Sequence, residues 1–134
     1  MAQNDATPAP PEVAGAVYAL TNNFTRNEVL AYNRAEDGSL SGGGRFDTGG
    51  QGSGAYEAST NMLIVGSVEG QSSPIDLGGG NDLVFAANAG SDTISVFHVT
   101  DDGLELIEAQ ASGGERPTSL THQSSSNRSY IFYG

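Results

Sequence analysis

Residues 76–97 read DLGGGNDLVFAANAGSDTISVF, and two incompatible folds compete for them. Gly79-Gly80-Asn81-Asp82 and Gly90-Ser91-Asp92 resemble successive turns of a calcium-binding β-roll, whose Gly/Asp turns recur about every nine residues. The runs between them, Leu83-Val84-Phe85 and Ile94-Ser95-Val96-Phe97, read instead as paired strands whose glycines only make turns. The choice decides whether this chain is a metal ladder or an ordinary antiparallel sheet.

An internal repeat favours the sheet. Residues 16–50 align with residues 83–114. Tyr18-Ala19-Leu20-Thr21-Asn22 matches Val84-Phe85-Ala86-Ala87-Asn88, and Val29-Leu30-Ala31-Tyr32 matches Ile94-Ser95-Val96-Phe97. Glu36-Asp37-Gly38 matches Asp101-Asp102-Gly103, and Thr48-Gly49-Gly50 matches Ser112-Gly113-Gly114. Each unit is strand, loop after an Asn, strand, Asp-Gly turn, strand, Gly-Gly exit. Asp-Gly between apolar runs is a strong hairpin signal. The earlier copy keeps the strands but carries NNFTRNE in place of the Gly/Asp turns, so the hairpin repeats and the ligand set does not. No calcium site is expected at Asp82 and Asp92.

Composition agrees. Nineteen glycines, no sustained helical period and many turn residues point to an all-β chain of 134 residues. Sixteen acidic residues stand against five arginines and no lysine. Such a surface repels phosphate, so neither nucleic acid nor a membrane is an expected partner. The absence of cysteine excludes disulfides, thiol nucleophiles and thiolate metal sites. No metal and no cofactor are expected. Residues 1–14 read as a Pro/Ala-rich disordered tail without a basic or apolar leader segment. That is compatible with a cytoplasmic protein or with one secreted after loss of a signal. Asn23-Phe24-Thr25 and Asn127-Arg128-Ser129 fit the N-glycosylation pattern, at a frequency near chance for this length.

A repeated four-strand meander is the unit of a β-propeller, with blades of about 40–45 residues in familiar cases. The expected architecture is a partial β-propeller over residues 15–134, two to three four-stranded antiparallel blades near 16–50, 73–112 and 116–134. The second blade would place its strands near 73–78, 83–88, 93–99 and 104–111. Met62-Leu63-Ile64-Val65 would be an extra strand or a crossing segment. Open blade faces and a free strand edge imply self-association, or further blades from a longer chain of which this one is a fragment.

GAVYALTNN (15–23), GRFDTGGQGSG (44–54), LVFAANAGSDTISVFHV (83–99) and SGGERPTSL (112–120) together resemble the opening blades of lactonase-type β-propellers. That family includes propeller-type 6-phosphogluconolactonases and 3-carboxymuconate cyclase-like proteins. Its members close about seven blades. The resemblance implies a small carboxylate-bearing lactone as ligand and metal-free chemistry by His, Arg and Glu on a central channel. It assigns a catalytic role to no residue of this chain.

Four residues are candidates for substrate binding. Arg116, just before Pro117, could grip a carboxylate with its planar fork, or be a solvated loop arginine. His122 could face the channel from its strand end, or be a plain loop residue. Asn22 and Asn88, at matching strand ends, could line the channel mouth, although Asn there ordinarily caps a turn. His98, inside a strand, reads as a packed or rim residue. No G-x-S-x-G elbow and no phosphate cradle are present. Two functions follow: a lactonase or lactonizing protein, inactive as this short chain, or a non-catalytic propeller interaction module.

Overall fold

The computed structural model describes residues 12–56, 61–67, 82–125 and 128–134. All of its regular structure is β: nine strands, with no helix among the described residues. The strands form three antiparallel sheets in chain order. Strands β1 (Val13–Leu20), β2 (Glu28–Ala35) and β3 (Leu40–Asp47) make the first. Strands β4 (Leu63–Ser67), β5 (Asp82–Asn88), β6 (Thr93–Thr100) and β7 (Gly103–Ala111) make the second. Strands β8 (Leu120–Ser125) and β9 (Arg128–Tyr133) form a hairpin.

The Asp-Gly turns fall where turn chemistry demands them. Asp37 accepts hydrogen bonds from the Ser39 amide and hydroxyl, while the Gly38 amide donates to the Ala35 carbonyl at 2.9 Å. In the second sheet, Thr100 pairs directly with Gly103 around Asp101-Asp102. The last strand of each of these two sheets also carries one unpaired residue. Gly43 is skipped between Ala31↔Gly44 and Tyr32↔Gly42, and Ile107 between Val96↔Glu108 and Phe97↔Leu106. Such a bulge bends and twists the outer strand.

Two expectations need correction. Tyr18 pairs with Ala31 and Leu20 with Val29, while Val84 pairs with Phe97 and Ala86 with Ser95. Taking Tyr18 as the counterpart of Val84 therefore makes Val29 the counterpart of Ser95, not of Ile94. The match by residue type was off by one, and a slip of one residue exchanges the two faces of a strand. Burial agrees with the structural register: Val29, Ala31, Ser95 and Phe97 are all buried.

The second correction concerns the strand beside β5. That place is held by β4, with Leu63 opposite Ala86 and Val65 opposite Val84. The strand expected near 73–78 falls on residues outside the described ones. The β8–β9 hairpin copies β4–β5. Leu63↔Ala86 and the Ala87 N–H to Met62 carbonyl bond (2.8 Å) have their counterparts in Leu120↔Tyr133 and the Gly134 N–H to Ser119 carbonyl bond (3.1 Å).

The core has two layers, one on each face of the four-stranded sheet. Val84, Ala86, Phe97 and Leu104 pack with Val29 of the first sheet, flanked by Tyr18, Leu20 and Phe46. Phe85 and Ala87 pack on the opposite side with Leu120, flanked by Ile64, Ile94 and Ile131. β5 is thus buried on both faces, which is why Leu83-Val84-Phe85-Ala86-Ala87 is continuously apolar instead of alternating.

Candidate functional site

Four strand ends converge where the first sheet meets the second. Asn27 immediately precedes β2, Thr48 follows β3, Asn88 ends β5, and Ser95 lies in β6. All four are buried polar residues, with Asn27, Thr48, Asn88 and Ser95 at 0% exposure. Asn88 Oδ1 accepts from Asn27 Nδ2 at 3.0 Å and faces the Thr48 hydroxyl at 2.7 Å. Its Nδ2 donates to the hydroxyls of Thr93 (3.0 Å) and Ser95 (2.8 Å). A side-chain amide has two donor hydrogens and two acceptor sites, and here all four are used. Asn27 Nδ2 also donates to the Ala87 carbonyl, and the Ser95 hydroxyl to the Thr48 carbonyl. The junction is a polar rivet between sheets.

The Gly-Gly exits are built alike in both copies. The Thr48 amide donates to the Asn27 carbonyl at 3.0 Å, and the Ser112 amide to the Asp92 carbonyl at 2.8 Å. Each hydroxyl lies 2.9 Å from that same carbonyl. The glycines that follow, Gly49 and Gly113, have φ of 74° and 87°, a left-handed turn that a side chain resists.

Asn22 matches Asn88 in the repeat but does a different job. It sits at φ 51°, beyond the end of the β1–β2 ladder. Its Nδ2 donates to Ser53 Oγ (2.9 Å) and to the Ala55 carbonyl (3.0 Å), and its Oδ1 accepts from the Ser53 amide (2.9 Å). The segment it holds runs very close: a Cβ on Gly52 would stand 2.2 Å from the Asn22 carbonyl carbon.

Arg116 is exposed, with φ 53°, and its amide donates to Asp92 Oδ1 at 2.8 Å. His122, opposite Ile131 in the hairpin, stacks on Phe85 of the second sheet with ring centroids 5.1 Å apart and planes 25° apart. Its Nε2 is buried without a hydrogen-bond partner among the described residues, and burial lowers its pKa below the ordinary value. His98 lies in β6 between Leu83 and Glu105. The structure therefore disperses the four candidates: Asn88 at the first sheet junction, Asn22 against the 52–55 segment, Arg116 on an exposed turn and His122 at the second junction.

Sequence reasoning missed two groups. One is the Asn27–Thr48 half of the rivet: the repeat marks Thr48 as part of a Gly-Gly exit, but nothing local pairs it with Asn27 or Asn88. The other is Glu28, whose side chain is 10% exposed and is held by Arg45 at 2.6 Å and Arg26 at 3.0 Å. The hydrogen bond from Arg45 is the main reason the Glu28 carboxyl titrates below its usual range.

A cleft of about 130 Å³ separates the first sheet from the β6–β7 turn, lined among others by Tyr18, Asn33, Gly43, Asp101 and Asp102. Burial, and secondarily the Asp82 carboxylate, push the Tyr18 phenol above its ordinary pKa. A shallower dish lies between Arg26, Asp47, Gln51 and Ser91. None of the four candidates lines either one. Among the described residues, no group of three His, Asp or Glu side chains could hold a metal ion.

Comparison with models of protein families finds no match, and neither a curated protein nor a solved structure matches the chain.

Proposed function

We propose that the chain is a run of β-propeller blades of the lactonase type, serving as a binding or interaction module with no self-contained lactone-processing centre. The architectural half is supported by one strand pattern that recurs with its bonds. The sheets read as strands two to four, one to four, and one to two of a common four-strand unit, with matching Gly-Gly exits and inner-hairpin bonds. Each unit packs face to face on the next, as blades do.

The functional half is carried by the commitment of Asn88, the best-placed polar residue of the repeat, to four framework hydrogen bonds. General acid–base catalysis requires groups within hydrogen-bond reach of one reacting centre. Residues spent on holding sheets together do not meet that need. A second reading, a metal-free lactonase or lactonizing enzyme, is favoured by the residues that carry the resemblance. It would use exposed Arg116 for a substrate carboxylate.

Turnover assays on simple lactones and on a carboxylate-bearing lactone separate the two. The module reading expects no rate above the uncatalysed background. Turnover that disappears in Arg116→Ala while the fold is retained would establish the enzyme reading instead.

A further inference from the structure

We propose that the junction between the four-stranded sheet and the β8–β9 hairpin is a proton-operated contact, with His122 as its sensor. The imidazole is inserted between two elements that meet through few residues. One face stacks on Phe85 and the ring edge abuts Gly66, while Ile131, opposite His122 in the hairpin, packs with Leu120 and Phe85. The fit depends on Gly66 having no side chain, because a Cβ there would stand 2.4 Å from His122 Nδ1. Next to the ring, β8 also docks by its main chain, the Leu120 amide donating to the Asn61 carbonyl at 2.9 Å.

A neutral imidazole tolerates this site, whereas an imidazolium does not. Protonation would create a charge on a ring whose Nε2 is buried and has no acceptor among the described residues. The described part of β4 offers Leu63, Ile64, Val65 and Gly66, none of them charged. On β5 the one acid is Asp82, three residues from Phe85 and so on the opposite face of the strand, where its carboxylate acts on Tyr18. On β6 the titratable residue on the Phe85 face is His98, which pairs with Leu83 and is no acceptor for an imidazolium when itself protonated. On β9 the residue facing His122 is Ile131, and the titratable Tyr133 lies opposite Leu120 instead. Along β8 itself the neighbours are Thr121 and Gln123. Attraction between the cation and the Phe85 ring offsets part of the cost. Desolvation of the half-buried ring outweighs it, and the lowered pKa of His122 has that same cause.

The charge is relieved most cheaply by releasing the hairpin into water, because the opposite junction, riveted by Asn88, holds no histidine. Opening exposes His122 and restores its ordinary proton affinity. The opening equilibrium then rises by up to about tenfold for each unit by which pH falls, between the usual pKa of 6.5 and the lower value in the docked state.

Amide hydrogen exchange on the full chain, corrected for intrinsic rates, tests this between pH 7.5 and pH 5. Faster opening confined to the hairpin amides of residues 120–123 and 131–134 is expected, with β2, β5 and β6 unchanged. His122→Phe, which keeps a stacking ring but takes no proton, is expected to remove the pH dependence. Uniform loss of protection across all sheets, no change in the hairpin, or the same pH dependence in His122→Phe would overturn the proposal. A proton NMR titration of wild-type His122 provides a check that needs no variant. A pKa at or above 6.5 would overturn it equally.

Discussion

Asn88 Oδ1 and Asn27 Nδ2 meet at 3.0 Å in a junction from which solvent is excluded, joining the end of β5 to the start of β2 across a sheet boundary. Truncating Asn88 takes a partner from the Asn27 amide and from the Thr93 and Ser95 hydroxyls at once, while the Thr48 hydroxyl keeps the Asn27 carbonyl. Asn88→Ala should cost about 3 kcal/mol, since each buried polar group left unsatisfied costs about 1–3 kcal/mol. Asn22→Ala, at the matching position but on a partly exposed loop, should cost about 1 kcal/mol. Urea midpoints measure both. Equal losses would mean that the repeat, rather than the junction, sets the value of these residues.

The Gly-Gly exits predict a matched pair of variants. Gly49→Ala and Gly113→Ala place a side chain at positive φ, a strain of about 1–2 kcal/mol for an L-residue. Thermal denaturation should show similar losses in the two. A neutral outcome for either would mean that its turn relaxes to another conformation at little cost.

Glu28 predicts a specific acid dependence. Its folded pKa lies below the ordinary 4.5, chiefly through the Arg45 hydrogen bond. The unfolded chain therefore binds the proton more readily than the folded one. The resulting stabilisation is fully present above pH 4.5 and is lost as pH falls through the folded pKa. Urea unfolding of wild type and Glu28→Gln at pH 7, 5, 4 and 3 should show a gap that narrows only at the acid end. A gap that does not change with pH would assign the effect to shape rather than charge.

Calcium should find no specific site at Asp82 and Asp92. A calcium shell takes roughly six to eight oxygens. Asp92 already accepts the Arg116 amide on one carboxylate oxygen. Calorimetry at millimolar calcium should give no saturable heat. A one-site isotherm abolished by Asp82→Ala would restore the β-roll reading of residues 76–97.

Phe132 and Tyr133 are 56% and 41% exposed on β9, a strand that pairs only with β8 among the described residues. An open edge with apolar side chains invites further pairing. Sedimentation velocity over a concentration series should show a weight-average mass that rises with concentration, and Phe132→Lys should suppress the rise. One monomeric species throughout would contradict this.

Much of the chain's architecture was legible without coordinates, because the relevant signals are local. The two-residue period of Thr93–Val99, the Asp37-Gly38 and Asp102-Gly103 turns, and the Thr48-Gly49-Gly50 and Ser112-Gly113-Gly114 exits each prescribe their own backbone. Nearest-neighbour antiparallel pairing follows from such short connections. Other features depended on partners distant in sequence. Val29 corresponds to Ser95 and not to the more similar Ile94, because the packed neighbour chooses which face of a strand is buried, and side-chain likeness does not report it. β4 took the place beside β5 through a pairing that spans residues 68–81, which no turn signal specifies. Asn22 and Asn88, alike in the repeat, diverged because one was left facing a loop and the other was closed in between two sheets. The sequence alone determined an all-β chain of repeated hairpins; tertiary packing decided which polar side chains were enclosed, because desolvation depends on every neighbour at once.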